Sequence, residues 1–185
     1  MIFDNKGFPR DNGASDWQDS ARLAGIMTLF GWPRHVPLEP YLDLMERRYV
    51  RHPKERLYDM SRDQAVCLVA GYWKQGEYEL VDRSLVDGKD IFSPSVRGHF
   101  RRCQGRSASA LQNLWLRLDI MYSAYIKPMD EPNQLICILM VAGPEYVRLW
   151  RKHNKKWKEA IRLYWCGWRG ESELAELMIS KIEGA

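Results

Sequence analysis

Three stretches of this chain share one layout: a polar tetrad, an apolar run of two to three turns, and a glycine. They are Asp19-Ser20-Ala21-Arg22 with Leu23 to Gly31, Ser61-Arg62-Asp63-Gln64 with Ala65 to Gly71, and Glu131-Pro132-Asn133-Gln134 with Leu135 to Gly143. None of the apolar runs leaves a solvated stripe, so each predicts a helix buried on every side. Ser61 and Gln64 have capping-box spacing, Pro132 suits a first helical position, and the glycines mark helix ends. Buried polar groups need partners. If the three polar starts face one way, Arg22, Arg62, Gln64, Asn133 and Gln134 form a polar mouth with Asp19 and Asp63 as its carboxylates.

The remaining helical signals are amphipathic. Leu38, Tyr41, Leu42, Met45 and Tyr49 share a face and predict an outer helix over 38–49, and Leu111, Trp115, Leu118 and Tyr122 do the same over 108–126. After Pro144, one stripe runs through Tyr146, Trp150, His153, Trp157, Ile161, Tyr164 and Trp168, at a spacing that reads as core. The opposite face carries Arg148, Arg151, Lys152, Lys155, Lys156, Lys158 and Arg162. A short amphipathic helix, Glu171 to Ile182, closes the chain. Alternation is confined to a brief stretch near Glu79 to Val86, so no strand competes. The expected fold is all-α: an array of helical hairpins with three buried apolar inner helices and amphipathic outer helices. Residues 1–15 read as a polar N-terminal arm and 16–185 as one helical domain. An irregular basic insertion at 76–106 carries Arg97, Arg101, Arg102 and Arg106.

Composition narrows the classes. The 185 residues, 45% hydrophobic with 8 Trp, supply a full core and exclude a disordered chain. The N-terminus shows no signal pattern, and the apolar runs fall short of the roughly 20 residues of a membrane span. A soluble, cytoplasmic protein with no membrane partner is expected. Cysteines at 67, 103, 137 and 166 contain no CxxC pair and suggest a reducing compartment, with Cys67 and Cys137 as small core hydrophobes. His99 and Cys103 stand one helical turn apart without a second close ligand pair, so no metal or cofactor is expected. The net charge of +4 permits a polyanionic partner.

Ser61-Arg62-Asp63-Gln64-Ala65, continuing to Leu68-Val69-Ala70-Gly71, resembles the inner-helix motif of (α/α)-toroid carbohydrate enzymes of the unsaturated glucuronyl hydrolase type. There, an Arg-Gly-Gln-Ala tetrad opens an apolar helix at the sugar-binding mouth. Position 63 departs from that pattern, being Asp, and the chain has about half the length of a full toroid. The combination of Asp19-Ser20-Ala21-Arg22, Ser61-Arg62-Asp63-Gln64 and Trp168-Arg169-Gly170-Glu171 is similar to uncharacterised small bacteriophage proteins. That likeness implies a location in the host cytoplasm or the virion.

Three functions from different classes follow. The leading one is a non-catalytic binding or assembly protein, such as a phage capsid or tail component, acting on another protein or itself through Trp-rich and basic surfaces. The second is a carbohydrate-active hydrolase or lyase using Asp19 and Asp63 as paired carboxylates on an acidic polymer. The third is a nucleic-acid binder using Arg97, Arg101, Arg102 and Arg106 with Lys152, Lys155 and Lys156. No Gly-rich phosphate loop, nucleophile elbow or metal-ligand set strengthens an enzyme reading.

Overall fold

The computed structural model describes residues 2–10, 19–43, 48–53, 55–59, 62–77, 136–137, 139–141 and 143–185. These are mainly helical. The predicted helix over 108–126 and most of the 76–106 insertion lie outside them.

Helix α1 (Ser20–Phe30) is buried along almost its whole circumference, as its unbroken apolar run requires. It ends at Gly31, whose φ of 73° allows a Schellman closure. The Gly31 amide bonds the Thr28 carbonyl, and the Trp32 amide bonds that of Met27. Helix α2 (Arg62–Gln75) packs directly against α1. Gly71 does not stop it: the chain continues to a second Schellman closure at Gly76, φ 79°. Gly71 instead serves the α1–α2 crossing. A Cβ there would lie 2.9 Å from Leu38 Cδ1 and 3.0 Å from Gly25 Cα, and one on Gly25 would lie 2.1 Å from the Cys67 carbonyl oxygen. Helical residues 136–137 and 139–141 bury Ile136, Cys137, Leu139 and Val141.

The segment read as an outer helix over 38–49 is a correction, and so is the expectation of no strands. A 3-10 turn at Glu39–Tyr41 leads into β3 (Leu42–Asp43), which pairs antiparallel with β4 (Arg48–His52), itself paired with β5 (Glu55–Asp59). Proline explains much of this. Val36 and His52 each precede a proline, which biases them towards extended backbone. Val36 and Leu38 are both buried, a period of two rather than 3.6.

Residues 2–10 form a hairpin of β1 (Ile2–Phe3) and β2 (Pro9–Arg10). Asp4 Oδ1 accepts the amides of Lys6 and Phe8 at 2.8 and 3.0 Å and so holds the turn. Phe8 is buried, edge-on to Tyr41 and His52.

After Gly143, α3 (Pro144–His153) starts with proline at its first position. The single long helix suggested by the aromatic stripe is broken at Asn154. Its amide and side-chain Nδ2 both bond the Trp150 carbonyl, at 2.9 and 3.1 Å, and turn the chain. Helix α4 (Trp157–Arg162) runs into a π turn at Leu163–Trp168, and α5 (Ser172–Gly184) follows. Tyr146, Trp150, Trp157, Ile161 and Tyr164 are core, whereas His153 is exposed and leaves the stripe.

Candidate functional site

The first turn of α1 meets the π turn. Asp19 precedes α1 and makes no side-chain cap to it. Its carboxylate turns to two arginines instead: Oδ1 lies 3.3 Å from Arg22 Nη2, and Oδ2 lies 2.5 Å from Arg169 Nη1. Arg22 donates from Nη1 to the Tyr164 hydroxyl, and Arg169 Nη2 reaches the same oxygen at 3.4 Å. The Arg169 guanidinium also lies 5.5 Å from the Tyr164 ring centroid. The result is a closed loop of four side chains joining residues 19–22 to residues 164–169. Asp19 and Arg22 are only 13% and 10% exposed.

The π turn makes this meeting possible. Its wider hydrogen bonds carry through to the exit, where the Glu171 amide bonds the Trp165 carbonyl at 2.7 Å and the Gly170 amide bonds that of Cys166 at 3.3 Å. Gly170, with φ 67°, then reverses the chain and brings Glu171, buried, to the start of α5.

A second polar group lies nearby. The Ser20 and Tyr41 hydroxyls are 2.6 Å apart, and Tyr41 also donates to the Ser20 carbonyl at 3.4 Å. Burial drives the Tyr41 phenol well above its ordinary pKa, with the Ser20 hydrogen bond partly opposing that rise. Burial likewise pushes up the Cys137 thiol. Its hydrogen-bonded neighbour Cys67 adds to the rise, and the Arg22 charge opposes it.

Asp19 and Arg22 therefore sit together, and Gln64 is buried in the first turn of α2. Arg62 and Asp63 belong to that turn too, described in backbone only. Asn133, Gln134, Arg97, Arg101, Arg102 and Arg106 lie outside the described residues, as do His99 and Cys103. Among the described residues no group of three possible metal ligands forms, and no helix is long and apolar enough to cross a membrane. Sequence reasoning assigned Tyr164 to the core stripe and missed its role in the junction. The signal was available: a buried tyrosine hydroxyl has to find a polar partner.

The basic face divides in two. Arg151 Nη1 donates to the carbonyls of Ile182 and Glu183, both at 3.0 Å, Lys158 pairs with Glu183, and Arg162 forms two bonds to Glu176 at 2.8 and 3.2 Å. Hydrogen bonding to Arg162 holds the Glu176 carboxyl below its ordinary pKa. These three cations clamp α5. Arg148, Lys152, Lys155 and Lys156 are exposed and make no ion pair among the described residues. Leu149, 41% exposed, lies between Arg148 and Lys152.

Comparison of the chain with protein-family models, curated proteins and solved structures finds no match.

Proposed function

We propose that this chain is a non-catalytic binding or assembly protein that docks an acidic partner through Arg148, Lys152, Lys155 and Lys156. One observation carries the reading. Of the seven cations between Arg148 and Arg162, three are engaged by α5 and these four are exposed and form no ion pair among the described residues. The tryptophans contribute little contact surface here, since Trp150 and Trp157 are buried.

The finer architecture belongs to the same proposal: an array of helical hairpins in which α1, α2 and the helical residues 136–137 and 139–141 are the inner, apolar members. The likeness to small bacteriophage proteins would make the chain a virion-associated or host-cytoplasmic component that assembles with another protein or with itself.

The alternative, a carbohydrate-active hydrolase or lyase using Asp19 and Asp63, draws less support. A general acid or base must present an oxygen to the substrate, and both Asp19 oxygens face guanidinium groups.

The test is retention on an immobilised acidic polymer such as heparin, followed as salt is raised. The wild type should elute at a higher salt concentration than a variant carrying Lys152→Glu, Lys155→Glu and Lys156→Glu, with both proteins melting alike. Equal elution of the two overturns the docking role, and cleavage of an acidic polysaccharide by the wild type overturns the non-catalytic one.

A further inference from the structure

Resting on the docking reading above, we infer that the partner of this face is the phosphate backbone of double-stranded nucleic acid, contacted without reading its sequence. Four features of the face point there. The first is chemistry. Protein-binding hot spots favour Trp, Tyr and Arg and are poor in Lys, whereas this face is three lysines and one arginine.

The second is that, among the described residues of α3 and the start of α4, no aromatic ring is offered for stacking. Single strands are held by bases stacked on exposed aromatic rings. The aromatic residues of α3 and of the start of α4, Tyr146, Trp150 and Trp157, are all buried.

The third is reach. Arg148 and Lys152 are one turn apart on α3, about 6 Å along its axis. Lys155 and Lys156 follow in the turn after Asn154, both exposed, so the face offers four cations to as many phosphates. Phosphates recur about every 3.4 Å along the axis of each duplex strand, so the pair one turn apart on α3 reaches two phosphates of the same strand. A lysine ammonium is a point charge where arginine is a bidentate fork, so three lysines with one arginine suit phosphates better than base edges.

The fourth is the lack of ion pairing of these four cations among the described residues. Glu145 and Glu159 border the face and are exposed, but neither forms an ion pair with these four cations. The clamping pairs Lys158–Glu183 and Arg162–Glu176 keep the other carboxylates of the α4–α5 contact occupied.

Fluorescence anisotropy with labelled duplexes of two unrelated sequences tests this directly. The two duplexes should bind within about threefold of each other, and the log–log salt slope should be about −3.6 if four phosphates are engaged. Replacing Lys152, Lys155 and Lys156 with Gln together should lower the slope by about 2.7, with an unchanged melting temperature as the check on folding. Polyglutamate should bind at least tenfold more weakly than duplex at the same salt, because a duplex carries a charge about every 1.7 Å of its axis. Comparable affinity for polyglutamate overturns the nucleic-acid assignment while leaving the docking role in place. Tighter binding of a single strand than of duplex overturns the duplex assignment alone. Binding to none of these polyanions overturns both the inference and the docking reading.

Discussion

The backbone of Gly25 in α1 lies directly against that of Gly71 in α2, so close that a Cβ on Gly71 would stand 3.0 Å from Gly25 Cα. The two central helices touch main chain to main chain at this point, and neither position has space for a side chain.

Substituting these glycines should give a graded response. In Gly25→Ala the new methyl meets Cys67 backbone at 2.1 Å, which cannot rotate away. Overpacking of this kind costs about 3 kcal/mol or more. Gly71→Ala meets a flexible Leu38 methyl as well as backbone and should cost about 1 to 3 kcal/mol. Gly184→Ala, with open space around it, should be neutral or slightly stabilising. Denaturant midpoints for the three variants give the ranking directly. An unchanged midpoint for Gly25→Ala would contradict the close crossing.

Removing the junction carboxylate should destabilise the protein. Asp19→Asn leaves two guanidinium groups facing each other, with Arg22 almost fully buried. Breaking a pair in such a place costs about 2 to 4 kcal/mol. Tyr164→Phe removes hydrogen bonds to charged groups and should cost about 1 to 3 kcal/mol. Because both variants act on one network, the double variant should lose less than the sum. Thermal melts of the set decide the matter: an Asp19→Asn protein that melts like the wild type leaves Asp19 without a structural role.

Alkaline pH should weaken the fold. The folded state keeps the Tyr41 phenol and the Cys137 thiol protonated, raising both pKa values above those of the unfolded chain. The unfolded chain ionises them near their ordinary values, roughly 8.5 for the thiol and 10 for the phenol. Above those values the unfolded state binds fewer protons, so stability falls with pH by about 1.4 kcal/mol per unit for each group. The contribution is fully present below pH 8. Tyr41→Phe should cost stability at pH 7 through the lost Ser20 bond yet flatten the decline above pH 10. Urea unfolding at pH 7, 9 and 10.5 measures both effects.

The N-terminal hairpin should depend on Asp4. Its Oδ1 holds two backbone amides, and its Oδ2 lies 3.8 Å from Nε2 of the fully buried His52. Asp4→Ala should cost about 2 kcal/mol. Hydrogen exchange at the Lys6 and Phe8 amides should accelerate well before the core amides respond. Uniform acceleration across the chain would mean that the hairpin does not open separately.

What could be read from the sequence was local, and what was missed depended on distant partners. The buried α1, its stop at Gly31 and the helix closing the chain followed from periodicity and glycine placement. Gly71 looked like another stop because a glycine after an apolar run usually is one, and only the approach of Gly25 reveals its use. Leu38 to Tyr49 carried a helical spacing, but Leu42 pairs with Tyr49 across a hairpin, a relation that periodicity within one segment does not encode. Asp19 and Arg22 were legible one by one, as polar residues at the start of an apolar helix. Their partners, Tyr164 and Arg169, lie more than a hundred residues away and arrive through a π turn, for which composition offers no signal.

That π turn, Leu163–Trp168, sets the rotational phase of everything after it. An α-helix advances about 100° per residue, and the wider turn accommodates a surplus residue without breaking the ladder. Deleting one residue between 163 and 168 would let the backbone close into ordinary α bonding, yet it would swing Tyr164 and Arg169 about 100° out of alignment with each other. Arg22 and Asp19 would then lose one partner or the other. The junction is thus indexed by a count of residues more than by their identities: exchanges at the exposed Leu163 should pass unnoticed, whereas a change of length by one should not.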